Sequence, residues 1–301
     1  MTTEPPPIAL DPAPAGADPL FDPRHARRLR RREFLRALVR SKTFLVGAIF
    51  VGFWVLDAIF WRAIVPHNPD TTGINTFAGP SSAHWFGTDN LGRDVFSRTL
   101  AGASSVLVIA PIATALGVAG GIVVGLTAGY YRGKVDAVIG RIVDAFLSLP
   151  LIIIAVLVMA SLGRETRNVI LVIAIIFTPL VGRTVRSAVL VEREREYVSA
   201  ARLRGERGSY IMYAEILPNI TGPVLVETTI RLGYAIFTAA TLAFLGLGLQ
   251  PPSPDWGLTI AQGYEYISIA WWIIVFPALA LATLIVGVNL LADGLRVVVE
   301  E

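Results

Sequence analysis

The sequence predicts an all-α membrane protein with six transmembrane helices. Of its 301 residues, 54% are hydrophobic and 16% are charged, with a mean hydropathy of +0.62, whereas soluble domains carry about 25% charged residues. A helix needs about 20 mostly apolar residues to cross the hydrocarbon core of a bilayer. Six segments meet that requirement: 44–65, 104–130, 138–161, 168–190, 223–248 and 271–293. The composition excludes an ordinary soluble enzyme.

The first span follows a long N-terminal tail, residues 1–43, which we expect to lie in the cytoplasm. Residues 1–23 contain seven prolines and little apolar periodicity, so we expect them to be disordered. Residues 24–42 carry nine basic residues, a pattern typical of contact with anionic lipid rather than with nucleic acid. The membrane domain is predicted to fill residues 44–301.

The distribution of Lys and Arg predicts the orientation of the spans. If the N-terminus is cytoplasmic, 20 of the 26 basic residues fall on the inner side and five on the outer side, while Arg231 lies within a span. Short inner loops of membrane proteins carry an excess of Lys and Arg. We therefore expect both termini to be cytoplasmic. The second and sixth spans include long stretches without any charge, residues 99–131 and 266–292.

Two loops on the predicted outer side, 62–103 and 249–270, are long enough to have roles of their own. They could bind a partner or cover the outer mouth of a cavity. The alternative is that their tryptophans anchor the chain at the membrane interface, and this explanation is favoured for Trp271 and Trp272.

The residue content argues against several kinds of site. There is no cysteine, which excludes thiolate catalysis and disulfides, and His25, His67 and His84 lie in different contexts without metal-ligand spacing. We therefore predict no metal site. No G-x-x-x-x-G-K-[ST] phosphate loop occurs, so any ATP hydrolysis must reside in a partner. The absence of H-E-x-x-H and G-x-S-x-G disfavours a membrane-embedded enzyme.

The inner loop 191–222 is predicted to form a helix, a turn and a second helix. Glu192–Arg204 contains good helix formers, and Gly205 offers a left-handed C-terminal stop. The second helix is expected to run from about Gly208 to Leu217 and to end before Pro218. Two short helices on the cytoplasmic face form a rigid knob that another protein could grip.

This loop resembles the EAA signature of ABC importer permeases, E-A-A, three residues, G, nine residues, I-x-L-P. Spacing agrees throughout, although Ser199 stands where the family usually has Glu and Glu215 where it usually has Ile. The resemblance implies that the loop couples the spans to an ATPase. The residues concerned are Ser199, Ala200, Ala201, Gly205, Glu215, Leu217 and Pro218.

Two further motifs are similar to the C-type subunit of dipeptide and oligopeptide permeases. One is F-G-T-D-x-x-G-R-D before the second span, and the other is F-L-G-L-G-L-Q-P-P followed by W-G after the fifth. Their residues are expected to form an external surface for a partner. These are Phe86, Gly87, Thr88, Asp89, Gly92, Arg93, Asp94, Pro251, Pro252 and Trp256.

The resemblance implies a type I ABC importer fold in the inner membrane of a bacterium, with coupling helices between spans 4 and 5. The implied partners are a second, homologous permease, one or two ATPase subunits that bind ATP and Mg, and an external peptide-binding protein. The chain itself would bind no cofactor. Dipeptides or short oligopeptides are the preferred cargo, and nickel chelates, glutathione or another small solute are the alternatives.

Charged residues within spans are candidates for the transport pathway, because each is costly to place in a bilayer. They are Asp57, Asp144, Glu227 and Arg231. Glu227 and Arg231 are four residues apart and could simply pair, Asp144 could face a water-filled passage or pair with Arg141, and Asp57 could lie near the outer interface. In an ion-coupled secondary transporter, the remote alternative, the carboxylates would carry the coupling ion.

A run of small residues in the second span predicts close helix packing. The residues are Gly120, Gly121, Gly125 and Gly129. The expected neighbour is the second permease.

Overall fold

The structure is a computed structural model that describes residues 37–300, with side chains to residue 297. The predictions for residues 1–36 lie outside this range. Within it the regular structure is helical, irregular segments such as 65–94 and 245–255 join the helices, and one isolated antiparallel bridge joins Thr88 and Asp94. The helices are α1 (Lys42–Ile64), α2 (Val95–Tyr131), α3 (Gly133–Ser148), α4 (Leu151–Leu162), α5 (Thr166–Glu192), α6 (Glu196–Leu203), α7 (Gly208–Tyr210) with a π-helix (Ile211–Ile216), α8 (Leu217–Asn219), α9 (Thr221–Phe244), α10 (Trp256–Tyr264) and α11 (Trp272–Glu300).

Four of these helices, α1, α2, α5 and α11, are long and apolar enough to cross a membrane, and α3 with α4 makes a fifth if the bent pair is one span. The predicted span 223–248 corresponds to α9, which contains Glu227, Arg231 and several threonines and lies below the hydropathy of the others. The all-helical membrane fold is confirmed, and the count of six spans stays a prediction.

The predicted third span, 138–161, is not one continuous helix. The chain breaks at Leu149 and Pro150, and α3 and α4 meet at an angle of 89°. Leu149 is extended, with ψ 134°, because the ring of a following proline disfavours the helical conformation and the proline has no N–H to donate.

The main packing contact joins α2 to α5 along the predicted glycine stripe. A Cβ at Gly121 would lie 2.5 Å from the Val181 side chain, and one at Gly125 would lie 2.6 Å from Val185. Such distances leave room for hydrogen only, so the backbone of α2 lies directly against valines of α5. Close packing by small residues is therefore present, but its partner is a helix of the same chain and not a second subunit.

Helix α1 packs on α11 through a second close contact and leaves its other side exposed. A Cβ at Gly47 would lie 2.7 Å from the Gly287 carbonyl oxygen. On the opposite side, Ile49, Phe53 and Phe60 are exposed, as expected for a lipid-facing surface. The core between the helices includes Trp54, which contacts Trp256 edge to face at a centroid distance of 4.9 Å.

Candidate functional site

The predicted coupling loop folds as two short helical arms, residues 196–219, which we name the 196–219 hairpin. Gly205 has φ +76° and follows the end of α6. The Glu206 N–H donates to the Ala201 carbonyl (3.2 Å) and the Gly205 N–H donates to the Arg202 carbonyl (3.0 Å). This pair of bonds is the Schellman arrangement, in which a left-handed glycine closes a helix.

The arms differ from the prediction at two boundaries. The first arm begins at Glu196 rather than Glu192, because α5 runs through to Glu192 before the chain turns. The second arm does not end before Pro218 but continues to Asn219. A π-helix, in which the Leu217 N–H donates to the Met212 carbonyl, precedes Pro218, so this proline lies in the first turn of a new helical segment, where its missing N–H costs little.

One face of the hairpin is buried against the lower ends of α2 and α5. Val198, Ala201, Ile211 and Ile216 are buried, in one cluster with Leu126 of α2 and with Val185 and Val189 of α5. The opposite face is open, and Leu203 is 90% exposed at its tip.

The residues predicted for coupling divide between these two faces. Ser199, Ala200, Gly205 and Pro218 are exposed, Ala201 is buried, and Glu215 and Leu217 are half-buried. The Arg204 guanidinium lies 3.4 Å from the Glu215 carboxylate and thereby joins the two arms. The exposed group is therefore available to a partner, while Ala201 holds the hairpin to the bundle.

Polar contacts that the sequence did not reveal join the end of α2 to the hairpin and to Arg193, which precedes it. Arg193 donates to the carbonyl oxygens of Gly129 (3.2 Å) and Tyr130 (2.5 Å), which are among the last, otherwise unpaired acceptors of that helix. The Arg202 guanidinium lies 5.3 Å from the centre of the Tyr130 ring. Arginines in a charged loop carry no sequence signal that would identify this role.

Tyr197 lies beside the start of the hairpin and donates a hydrogen bond to the Glu192 carboxylate at 3.1 Å. Burial, together with this acidic acceptor, raises the pKa of Tyr197 to about 12. Its hydroxyl therefore stays protonated and remains a donor at physiological pH.

The F-G-T-D-x-x-G-R-D motif forms a buried network at the N-terminal end of α2. Asp89 accepts hydrogen bonds from the Arg93 backbone N–H (2.9 Å) and from the Arg93 Nε (2.6 Å), and Arg93 also donates to Gln262 (3.1 Å). Arg98 donates to the carbonyl oxygens of Pro69 (3.0 Å) and Ser253 (2.9 Å). The network therefore ties the two long loops to each other.

Gly87 and Trp256 of the two motifs are buried as well, whereas Pro251 and Pro252 are exposed. Gly87, with φ +76°, lies against Trp272, whose Nε1 donates to the Thr88 carbonyl at 3.0 Å. Trp256 is fully buried and donates to the Thr99 carbonyl at 2.6 Å. Trp272 thus serves packing rather than the membrane interface.

The expectation that these motif residues contact a partner directly stays a prediction. Thr88, Asp89, Gly92, Arg93 and Asp94 are buried. Their polar atoms are largely engaged within the chain. The exposed neighbours Ile74, Trp85 and Leu91 surround the network, and Phe86 stacks on Phe276 at 3.8 Å.

The charged residues predicted within spans have different environments. Glu227 accepts a hydrogen bond from Arg231 at 2.6 Å, so these two residues pair with each other, which was one of the alternatives. Asp144 pairs with Arg183 of α5 rather than with Arg141. Asp57 is buried, and neither of its oxygens has a hydrogen-bond partner among the described residues.

The structure corrects one expectation about the histidines. His67 and His84 come together, with ring centres 4.9 Å apart, beside the carboxylate of Asp94. Because the two histidines are far apart in the sequence, their positions did not indicate that they lie side by side. His25 lies outside the described residues.

Residues 121–301 match the family described as binding-protein-dependent transport system inner membrane component. The chain belongs to this family. Residues 30–80 of the permease also match the N-terminal transmembrane domain of oligopeptide transport permease C. The resemblance inferred from the motifs is therefore confirmed, and the permease is a multi-pass membrane protein.

Curated relatives match the permease over nearly its whole length. The dipeptide transport system permease protein DppC of Alkalihalophilus pseudofirmus is 38% identical over 266 residues, which are 88% of each chain. The di/tripeptide transport system permease protein DppC of Pseudomonas aeruginosa is 35% identical, over 88% of this chain and 90% of the relative. The glutathione transport system permease protein GsiD of Escherichia coli O6:K15:H31 is 40% identical, over 88% of each chain.

A solved structure shares the fold of the permease. It is a chain of the MetNI methionine ABC transporter in inward-facing conformations, with a TM-score of 0.56 and 21% sequence identity. The match covers 67% of this chain and 96% of the other. The predicted importer-permease fold is therefore confirmed.

Proposed function

We propose that this permease is one of two membrane subunits of an ATP-driven importer for dipeptides and short oligopeptides. The observation that carries this proposal is the 196–219 hairpin, whose inner face is packed on the bundle and whose outer face is open. A plain connector between spans would not require a closed glycine turn and a buried apolar face. A surface fixed in this way can transmit a movement that begins outside the chain.

In this proposal the open face of the hairpin docks on a cytoplasmic ATPase, which binds ATP and Mg. Ser199, Ala200 and Leu203 would enter a cleft of that ATPase, and Gly205 would set the angle between the arms. The buried face then passes the movement to α2 and α5, because Val198 and Ile211 lie in one apolar cluster with Val185. The permease has no catalytic residue of its own in this scheme.

The opposite end of α2 would receive the external peptide-binding protein. This arrangement agrees with cytoplasmic N- and C-termini, which the distribution of Lys and Arg predicts. The buried network around Asp89 and Arg98 would hold the long loops in place, while exposed Trp85 and Leu91 offer contact surface. Asp57, Asp144, Glu227 and Arg231 are retained as pathway candidates.

The peptide cargo is proposed because two relatives are named for dipeptide or di/tripeptide transport. A relative named for glutathione transport is equally similar in sequence, and glutathione is itself a small peptide-like solute. Selection between such solutes would reside in the binding protein, which captures cargo before the permease meets it.

The first test is to purify the tagged permease from its native membrane in mild detergent and identify the co-purifying proteins by mass spectrometry. We expect a second permease, one or two ATPases with a phosphate loop, and a solute-binding protein. Recovery of the permease alone, in a form that transports after reconstitution, would overturn the proposal. Uptake that persisted on an ion gradient without ATP would instead identify a secondary transporter.

The cargo is tested on the recovered binding protein by calorimetry with a dipeptide, a tripeptide, glutathione and a nickel chelate. Tight binding of the peptides, followed by their ATP-dependent uptake in proteoliposomes, is the expected result. Tight binding of glutathione or nickel alone would keep the importer and replace its cargo.

A further inference from the structure

We propose that His67, His84 and Asp94 form a binding site for one zinc ion. The three residues lie at different points of the loop 62–103: His67 just after α1, His84 in its middle and Asp94 directly before α2. Their ligand atoms all lie within 4.8 Å of one another. The site is distinct from the hairpin and from the charged residues within the spans.

The spacing of the donor atoms fits a small tetrahedral ion. His84 Nδ1 lies 2.9 Å from Asp94 Oδ1, and His67 Nδ1 lies 3.8 Å from Asp94 Oδ2. Zinc with ligands at about 2.0 Å requires donor atoms roughly 3.3 Å apart in a tetrahedron. The two measured distances lie on either side of that value, and the His67 side chain, which is 45% exposed, has room to adjust.

Asp94 is a buried carboxylate whose ion-pair partners, within the described residues, are these two histidines. Arg93 and Arg98 lie close in sequence, yet both are directed at Asp89, at 2.6 and 4.0 Å. A buried carboxylate is stabilised when a cation is placed beside it. A zinc ion between Asp94 and the two histidines would supply that charge.

Other contacts already hold the Asp94 carboxylate and the backbones of both histidines. Asp94 Oδ2 accepts hydrogen bonds from the Ser97 N–H (2.8 Å) and hydroxyl (2.7 Å), while the Ser97 hydroxyl accepts one from the His67 N–H (3.3 Å). The backbone N–H of His84 donates to the Ser81 hydroxyl (3.2 Å). Hydrogen bonds to a ligating carboxylate, such as those that Ser97 makes to Asp94, orient the ligand and strengthen metal binding.

The donor set also determines the class of metal and its chemistry. Two imidazoles with one carboxylate suit zinc and other transition metals far better than calcium or magnesium, which prefer oxygen. Zinc at His84 Nδ1 would take the place of the hydrogen bond to Asp94 Oδ1 (2.9 Å), and the neutral imidazole would then carry its one proton on Nε2. Solvent or a group from a partner completes the coordination, since three ligands leave one position open.

The ion would join the long loop to the start of α2. Placement on the outer face rests on the predicted topology, whereas the binding itself does not. A bound metal would therefore stabilise the shape of an external docking surface. This effect does not depend on which cargo is transported.

The test measures zinc binding by the full-length chain in detergent, purified through a tag without histidine and stripped with a chelator. Equilibrium dialysis followed by elemental analysis should give one zinc per wild-type chain. His67→Ala and His84→Ala should each weaken binding at least about tenfold. His25→Ala is the matched control, because it removes the one histidine outside the cluster, and it should bind as wild type.

A second measurement does not depend on the folding of variants. X-ray absorption of the zinc-loaded wild-type chain should show nitrogen and oxygen donors that include two imidazoles. An absence of saturable zinc, retention of nickel but not zinc, equal loss in His25→Ala and His67→Ala, or a coordination shell without imidazole would each overturn the proposal.

Discussion

Replacement of Gly205 by valine tests whether the shape of the hairpin couples ATP hydrolysis to transport. Gly205 has φ +76°, and a Cβ at this position meets nothing within 4 Å. A clash with neighbours is therefore excluded, and the cost comes from the backbone alone. A left-handed conformation costs about 1–2 kcal/mol for an ordinary residue and more for a β-branched one, which shifts the population of the turn by a factor of about 5–30.

The consequence for the hairpin follows from its two closing hydrogen bonds. A turn that leaves the left-handed region separates the Glu206 and Gly205 N–H groups from the carbonyls of Ala201 and Arg202. The arms would then no longer hold one angle, although the buried face at Val198 stays packed. We expect uptake to fall about 5–30-fold, while the complex still assembles and hydrolyses ATP.

The assay is ATP-dependent peptide uptake by the complete complex in proteoliposomes, with phosphate release measured in the same samples. Gly205→Asn is the matched control, because Asn tolerates the left-handed region and also has open space here. It should retain most of the uptake. Uptake by Gly205→Val at the wild-type level, or an equal loss in Gly205→Asn, would refute the reasoning.

Three further predictions concern stability, measured as the thermal midpoint of the detergent-solubilised chain. Gly125→Leu should destabilise the fold by about 3 kcal/mol or more, because its side chain would be forced into Val185 of α5; Gly140→Ala, with open space, should not. Trp256→Phe should cost about 1–3 kcal/mol through the lost hydrogen bond and cavity, unlike Trp85→Phe at an exposed site. Burial raises the pKa of the Asp255 carboxyl group, so the folded state binds the proton of that group more tightly than the unfolded chain does. The stability that this group contributes therefore falls as the pH rises from about 3.9 towards neutrality. Asp255→Asn should flatten that part of the plot of thermal midpoint against pH.

One result for each of these variants would contradict the corresponding prediction. A wild-type midpoint for Gly125→Leu would contradict the close contact of α2 with α5. Equal effects of the two tryptophan changes would contradict the role assigned to the buried indole. A steeper pH profile in Asp255→Asn would reverse the sign of the argument for that carboxyl group.

The helices and the hairpin could be predicted because apolar length and local turn chemistry determine them. Span 104–130 falls within α2, and Gly205 forms the expected left-handed stop. Prolines were harder to interpret, since Pro150 breaks its helix while Pro179 lies inside α5. The sequence shows where a proline lies, but the packing around it determines whether the chain bends.

Contacts between distant residues were not predictable from one sequence. His67 and His84 are seventeen positions apart and lie in irregular loop, so no helical or strand period relates them. The attachment of Arg193 to the end of α2 likewise depends on how α5 lies against α2. The glycine stripe indicated close packing correctly, but it carried no information on which helix would be the neighbour.

Helix α2 is held by contacts at both of its ends, so it connects the two ends of the bundle mechanically. Its 37 residues extend over roughly 55 Å at 1.5 Å per residue. At one end the Arg98 network joins it to the long loops. At the other end it is bound by Arg193, just before the hairpin, and contacted by Arg202 of the hairpin. In the proposed importer, a tilt that begins at the hairpin would reach the loops at the opposite end through this one helix. Opening towards one compartment and closing towards the other would then be a single movement of one stiff element.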